Sequence, residues 1–231
     1  LLELLSKATR PVLVIGAGVH IAKAESEALK FINNLKIPVV LTWGAKDLLP
    51  NDHFLNMGGL GVCGPRPGNF AVQNSDLVIA LGTRLSQMIT GGKQSLFSPD
   101  SKKVMVDIDI EELKKFDKGT FELDLAIHSD LKIFFRFFEK INYSVPSDDY
   151  KDWISKIRNW IEKYPILSHN LSFLEKKINP YFFIDELSKK CKQDQIIIGD
   201  TGANLCWTMQ TFQFKLGQRM FSAWNHTPMG F

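Results

Sequence analysis

Cysteine is scarce. Cys63, Cys191 and Cys206 are odd in number, widely spaced and without a C-x-x-C pair, which excludes a disulfide framework. A reducing compartment is expected, with the thiols acting as small buried hydrophobes. Long apolar runs are missing as well. "LKIFFRFFEK" comes nearest, and Lys132, Arg136 and Glu139 interrupt it well short of the ~18–20 residues that cross a bilayer. A cytoplasmic protein with no membrane partner is expected. Charge of one sign is not in excess: the net charge is +3, with no dense Lys/Arg tract, which argues against a nucleic-acid partner. The five histidines (His20, His53, His128, His169, His226) show no metal-ligand spacing. There is no G-x-x-x-x-G-K-[ST] loop, no G-x-S-x-G elbow, no internal repeat and no low-complexity tract. The first residue is Leu and no signal peptide precedes it, so the chain is expected to be part of a longer protein.

What is present is ordinary globular material, 45% hydrophobic and 23% charged over 231 residues. The first ~140 residues alternate between two periods. "PVLVIG", "IPVVLT", "DLVIALG", "KKVMVDID" and "LAIH" read as strands. Helical spacing appears over 21–35 (Ala24, Ala28, Phe31, Ile32, Leu35), over 111–115 and over 130–140. Alternation of this kind predicts an α/β fold, a doubly wound and mainly parallel sheet covered on both faces. The polar, Pro-containing "NYSVPSDDY" breaks the pattern and divides residues 1–142 from a linker and amphipathic helix at 143–178. In that helix Trp153, Ile154, Ile157, Trp160 and Ile161 form one apolar stripe, expected to pack on a neighbouring domain. An incomplete second α/β unit spans 179–231. There Asn179 caps a helix, Pro180 suits its first turn, and "QIIIGD" reads as a buried strand.

Glycine-rich turns follow these strands. "VIGAGVHIA" sets Gly16 and Gly18 between a strand and a helix, either to meet a phosphate or to make a tight turn. No acid follows the next strand, where an NAD site would hold its ribose. "GGLGVCG" (58–64), "GTR" (82–84) and "TGG" (90–92) cluster in comparable places. Arg84 suits a phosphate or an ion pair. Asp107 and Asp109 in "VDID" suit a ribose hydroxyl or a helix cap. After Asp200 there is no further carboxylate, which suits an anion site.

Taken in order, "RPVLVIGAGV", "IPVVLTWGAKDLLP", "MGGLGVCG", "SDLVIALGTRLSQMITGG", "VMVDID" and "IHSDL", then "GDTGANLCW" and "HTPMGF", resemble the acetolactate synthase-like thiamine diphosphate enzymes. The resemblance covers nearly the whole chain: a central domain, then the opening of a diphosphate-binding domain. It implies that Gly202, Ala203 and Asn204 approach the diphosphate. Met229 would wedge between the thiamin rings, and the Thr227 carbonyl would accept from the 4′-amino group. It implies a possible FAD or ADP site at Gly16, Gly18, Gly61, Gly82, Thr83, Arg84, Asp107, Ile108, Asp130 and Leu131. Cys63 stands where the family has His, and Ser86-Gln87 where it has an Asp pair. The family's Mg²⁺ motif and activating glutamate have no counterpart in these residues. No catalytic residue and no metal ligand is therefore expected here, and the span alone is expected to be inactive. The implied parent is a homo-oligomeric carboligase or decarboxylase acting on a 2-oxo acid such as pyruvate. The alternative is a non-catalytic FAD- or ADP-binding sensor or structural module.

Overall fold

In the computed structural model the described residues are 1–118, 121–141, 143, 150–167, 177–226 and 228–230. A short helix α1 (Leu2–Lys7) leads into strand β1 (Pro11–Ile15), the one-turn helix α2 (Gly18–Ile21), helix α3 (Glu25–Leu35) and strand β2 (Val39–Leu41). Strand β3 (Asn56–Gly59), helix α4 (Arg66–Gln73), strand β4 (Leu77–Leu81) and the turn α5 (Gln87–Thr90) follow. Then come β5 (Lys102–Asp107), α6 (Ile110–Lys114), β6 (Leu125–His128) and α7 (Leu131–Ile141). The six strands form one sheet in the order β3-β2-β1-β4-β5-β6, and every pairing is parallel. This is the expected doubly wound fold, and its order reverses between β1 and β4.

The sequence patterns explain the layers. β1 and β4 are buried at every position, because helices cover both faces of a parallel sheet. On α3, Ala28, Phe31, Ile32 and Leu35 are buried at i, i+3, i+4 and i+7, and on α7 so are Leu131, Phe134, Phe135 and Phe138. The two stripes meet at Phe31, whose ring lies 4.9 Å from that of Phe138, edge-on, and 5.1 Å from Phe135. The helix read over 21–35 begins only at Glu25 as α3: α2 ends at Ile21, and Lys23 between them adopts a left-handed φ of 50°. Neither β3 nor α4 shows a sequence period. "NMGG" has no β-branched residue, and pairing with β2 alone makes it a strand.

Helix α8 (Lys151–Lys163) buries Trp153, Ile154 and Ile157 in the same core as the sheet. The Trp153 indole donates to the Pro11 carbonyl at 3.1 Å, and Trp160 meets Phe70 edge-on at 5.7 Å. The tryptophan stripe thus packs on the first domain. A second, smaller core joins α9 (Pro180–Lys190), β7 (Ile196–Ile198), α10 (Ala203–Thr211) and β8 (Arg219–Phe221). Asn179 caps α9 by accepting from Tyr181 N at 2.9 Å, with Pro180 in the first turn. "QIIIGD" does not match the expected buried strand. β7 pairs only with β8, so Ile196 and Ile198 stay 62% and 64% exposed.

One carboxylate ties the two cores together. Asp47, in the loop after β2, accepts from Arg219 Nε at 2.9 Å and from Met220 N at 2.8 Å, both on β8. Its other oxygen lies 2.9 Å from His20 Nε2, while His20 Nδ1 lies 2.8 Å from Glu25. An imidazole facing a carboxylate oxygen at each nitrogen must donate from both, so it is the imidazolium. Burial pulls the His20 pKa down, but the hydrogen bonds to Asp47 and Glu25 outweigh it and hold the pKa above 6.5. Burial pushes Asp47 up, and its His20 and Arg219 partners more than reverse that.

A group whose folded pKa is raised contributes fully below its unfolded value and loses that contribution as pH rises through the folded one. Thermal melting should therefore show stability falling as pH climbs from 6.5 through the raised His20 value, and His20→Gln should flatten that slope. Asp47→Ala strands Arg219 and the Met220 N–H and should cost about 3 kcal/mol in denaturant melts.

Candidate functional site

Where the strand order reverses, the turn after β1 meets the turn after β4. Gly16 N donates to the Leu81 carbonyl at 2.9 Å and Gly18 N to the Gly82 carbonyl at 3.0 Å. The backbones are too close for side chains: a Cβ on Gly16 would sit 2.4 Å from Gly82 O, and one on Gly18 2.6 Å from Gly82 Cα. These two N–H groups are spent on the neighbouring turn, so the tight-turn reading of Gly16 and Gly18 describes what they do here. Gly61 serves packing in the same way: a Cβ on it would sit 2.3 Å from the Met88 carbonyl oxygen.

Beside this contact lies a crevice of about 500 Å³ at the carboxyl ends of the strands. It gathers Gly18, Gly82, Thr83, Arg84, Asp107, Ile108, Asp130 and Leu131, whereas Gly16 and Gly61 lie off its wall. Asp107, at the end of β5, is buried and accepts from Asp109 N at 3.0 Å. Asp109 itself caps α6 by accepting from Glu111 N at 2.9 Å. Asp130 uses one oxygen to cap α7, accepting from Lys132 N and Ile133 N. The exposed Arg84 side chain has no ion-pair partner among the described residues. Trp43 and Trp224 close the crevice from the far side, and the buried Trp43 Nε1 has no acceptor. Ile21 and Ile108 stand on the rim, 80% and 65% exposed. Sequence reasoning missed both tryptophans: Trp43 sits in the Gly44 turn after β2 but was not assigned to a site, and Trp224 comes from the second unit.

A second feature is open to solvent. The chain turns after β7 through Gly199, Asp200 and Gly202, and α10 starts at Ala203. Gly202 has φ of 69°, a conformation that favours glycine, and the space where its Cβ would point is empty. Gly202, Ala203 and Asn204 are all exposed. Asp200 accepts from Thr201 N at 2.7 Å and, with both oxygens, from Gly230 N at 3.2 Å. That bond brings the segment carrying Met229, which is 90% exposed, alongside the turn. Thr227 lies outside the described residues. Among the described residues, no three His, Cys, Asp or Glu side chains are grouped to hold a metal ion.

Two cysteines expected as separate buried hydrophobes are in contact. Cys63, after β3, and Cys206, on α10, are partly exposed with sulfurs 2.8 Å apart, and only Cys191 is buried. Burial, and then the Cys206 thiol, push the Cys63 pKa up to about 11.

A model of the thiamine pyrophosphate enzyme central domain matches residues 1–137. The chain belongs to the thiamine pyrophosphate enzymes. Thiamine diphosphate is the coenzyme of that family, and the acetolactate synthase-like resemblance holds. The chain is 30% identical to a probable acetolactate synthase large subunit of Methanocaldococcus jannaschii over 99% of its own length and 38% of the relative's. It is 29% identical to the acetolactate synthase large subunit of Corynebacterium glutamicum over 99% and 36%. It therefore spans less than two-fifths of the length of these curated relatives. No helix among the described residues is long and apolar enough to cross a membrane.

Two outcomes follow. Gly16→Ala should cost about 2 kcal/mol in urea melts through overpacking against Gly82 and Thr83, without direct loss of a ligand contact. Cys206→Ala should lower the Cys63 pKa and speed its alkylation at pH 8 several-fold, read by mass spectrometry.

Proposed function

We propose that this chain is part of a thiamine diphosphate-dependent carboligase or decarboxylase of the acetolactate synthase type, acting on a 2-oxo acid. The observation that carries the reading is the exposed turn at Gly202, held by Asp200 to the Met229–Gly230 segment. The first N–H groups of α10 have no partners within the helix and face solvent with the positive end of its dipole, which suits a diphosphate. Gly202 leaves the approach open. Met229 offers an adaptable apolar thioether that would support the bend between the coenzyme's two rings. When bound, thiamine diphosphate supplies the thiazolium carbon and the electron sink for decarboxylation. This chain's part is to anchor, orient and bend it. Mg²⁺ would be held by residues other than those described here, and the span alone does not turn over in this reading.

We propose the crevice as the place for FAD or ADP. Arg84 would pair with phosphate, Asp107 or Asp130 would accept from a ribose hydroxyl, and Ile21 and Ile108 would flank a flat base. The unpaired Trp43 indole adds a donor. Solvent-facing Ile196, Ile198, Phe182, Phe183 and Phe221 leave an apolar surface on the second unit, which supports assembly with further protein in a homo-oligomer. A cytoplasmic location, with neither nucleic acid nor membrane as partner, completes the proposal.

The full-length protein should release CO₂ from pyruvate or another 2-oxo acid only with thiamine diphosphate and Mg²⁺ present. Met229→Ala should lower kcat at least tenfold with little change in stability, since the side chain is exposed. Coenzyme-independent turnover, or none with any 2-oxo acid, would count against the proposal. Arg84→Ala should weaken ADP or FAD binding about tenfold, the cost of one charge-assisted hydrogen bond.

A further inference from the structure

A second cavity, of about 320 Å³, lies between α8, strand β3 and the C-terminal end of α10. The nine residues of α10 separate it from the Gly202 turn by about 13.5 Å at 1.5 Å per residue. It belongs neither to that turn nor to the crevice at the strand crossover.

Its chemistry is one-sided. Lys46 and Arg158 line it, and among the described residues no Asp or Glu does. Lys46 is only 3% exposed, and its ammonium has no hydrogen-bond or ion-pair partner among the described residues. The adjacent carboxylate, Asp47, is committed to His20, Arg219 and the Met220 N–H. Arg158 uses Nη2 on the carbonyls of His53 and Phe54, while its Nε is buried without a partner. Across the cavity Thr211 Oγ1 is also buried and unpartnered. Buried charges are ordinarily paired and buried polar atoms ordinarily hydrogen-bonded. Here two cationic donors and a hydroxyl are left over on one wall system, around a space of the size that takes a small molecule. The rest of the lining is mixed: Met57, Ile161, Tyr164 and Leu167 are apolar or aromatic, while Asn51, Asn56, Gln210 and Gln213 add neutral amides.

We propose that this cavity binds a small organic carboxylate, its carboxylate held by the Lys46 ammonium and Arg158 Nε and its compact apolar body resting on Ile161, Tyr164 and Leu167. The apolar part of the lining favours an organic acid over inorganic phosphate, which would leave Met57, Ile161 and Leu167 unmatched. Lys46 and Arg158 belong to the first core and Thr211 to α10, so an occupant bridges the two units. Occupancy should therefore tighten the docking of α10.

The test is calorimetry and thermal melting of the full-length protein with acetate, 3-methylbutanoate and phenylacetate as probes. The neutral 3-methylbutanamide and inorganic phosphate serve as controls. At least one larger carboxylate should bind saturably and raise the melting temperature, while the amide should not. Burial holds the Lys46 pKa down at about 8, so binding near pH 8 should take up a proton, seen as a dependence of the binding heat on buffer ionisation. Lys46→Met should weaken binding at least tenfold and raise the melting temperature of the unliganded protein, since it removes an unpaired buried charge. Ile161→Trp, which fills the cavity and keeps the charge, should abolish binding by steric exclusion. Absence of saturable binding by all three carboxylates overturns the proposal. So does equal binding to Lys46→Met, or binding of the amide or phosphate as tightly as the best carboxylate.

Discussion

The crevice of the first domain depends on how closely two turns approach. The backbones after β1 and β4 touch at Gly16, Gly18 and Gly82, closer than any side chain would allow. That contact lets the strand order reverse without a plug of side chains at the seam. A crevice opens beside it, with Asp107 and Asp130 delivered by the next two strands. A doubly wound sheet always offers such a place. What distinguishes this one is the pairing of unspent polar groups, on Arg84 and Trp43, with exposed apolar rims at Ile21 and Ile108.

The second dependency runs through the loop after β2. Asp47 reaches β8, Asn51 accepts from Phe214 N at 3.0 Å, and Lys46 faces the second cavity. Trp43 packs into the second core while lining the crevice. One short loop thus positions the second unit against the sheet and contributes to both cavities. The second unit itself is thin. Its two-stranded sheet leaves Ile196 and Ile198 in solvent.

The sheet was legible because its strands are apolar runs of regular length and its helices carry clean stripes such as Phe134, Phe135 and Phe138. β3 and α4 were not, since "NMGG" and "RPGNFAVQ" form their elements through partners far along the chain. Most of the crevice was legible from strand-end residues and family resemblance. The choice between alternatives around it was not: the fold decides that the Gly16 and Gly18 N–H groups bond the neighbouring strand and turn and that Asp109 caps a helix. The tie at Asp47 and the Cys63–Cys206 contact join residues more than 140 positions apart, which no local pattern encodes. "QIIIGD" reads as buried by composition, and its true exposure depends on how many strands flank it.

The most direct test of the account is an experimental structure of the full-length protein with thiamine diphosphate and Mg²⁺. It should place the diphosphate within hydrogen-bond reach of the backbone N–H groups of Gly202, Ala203 or Asn204, with Met229 against the coenzyme rings. A coenzyme bound away from that turn, with Met229 still in solvent, would contradict it.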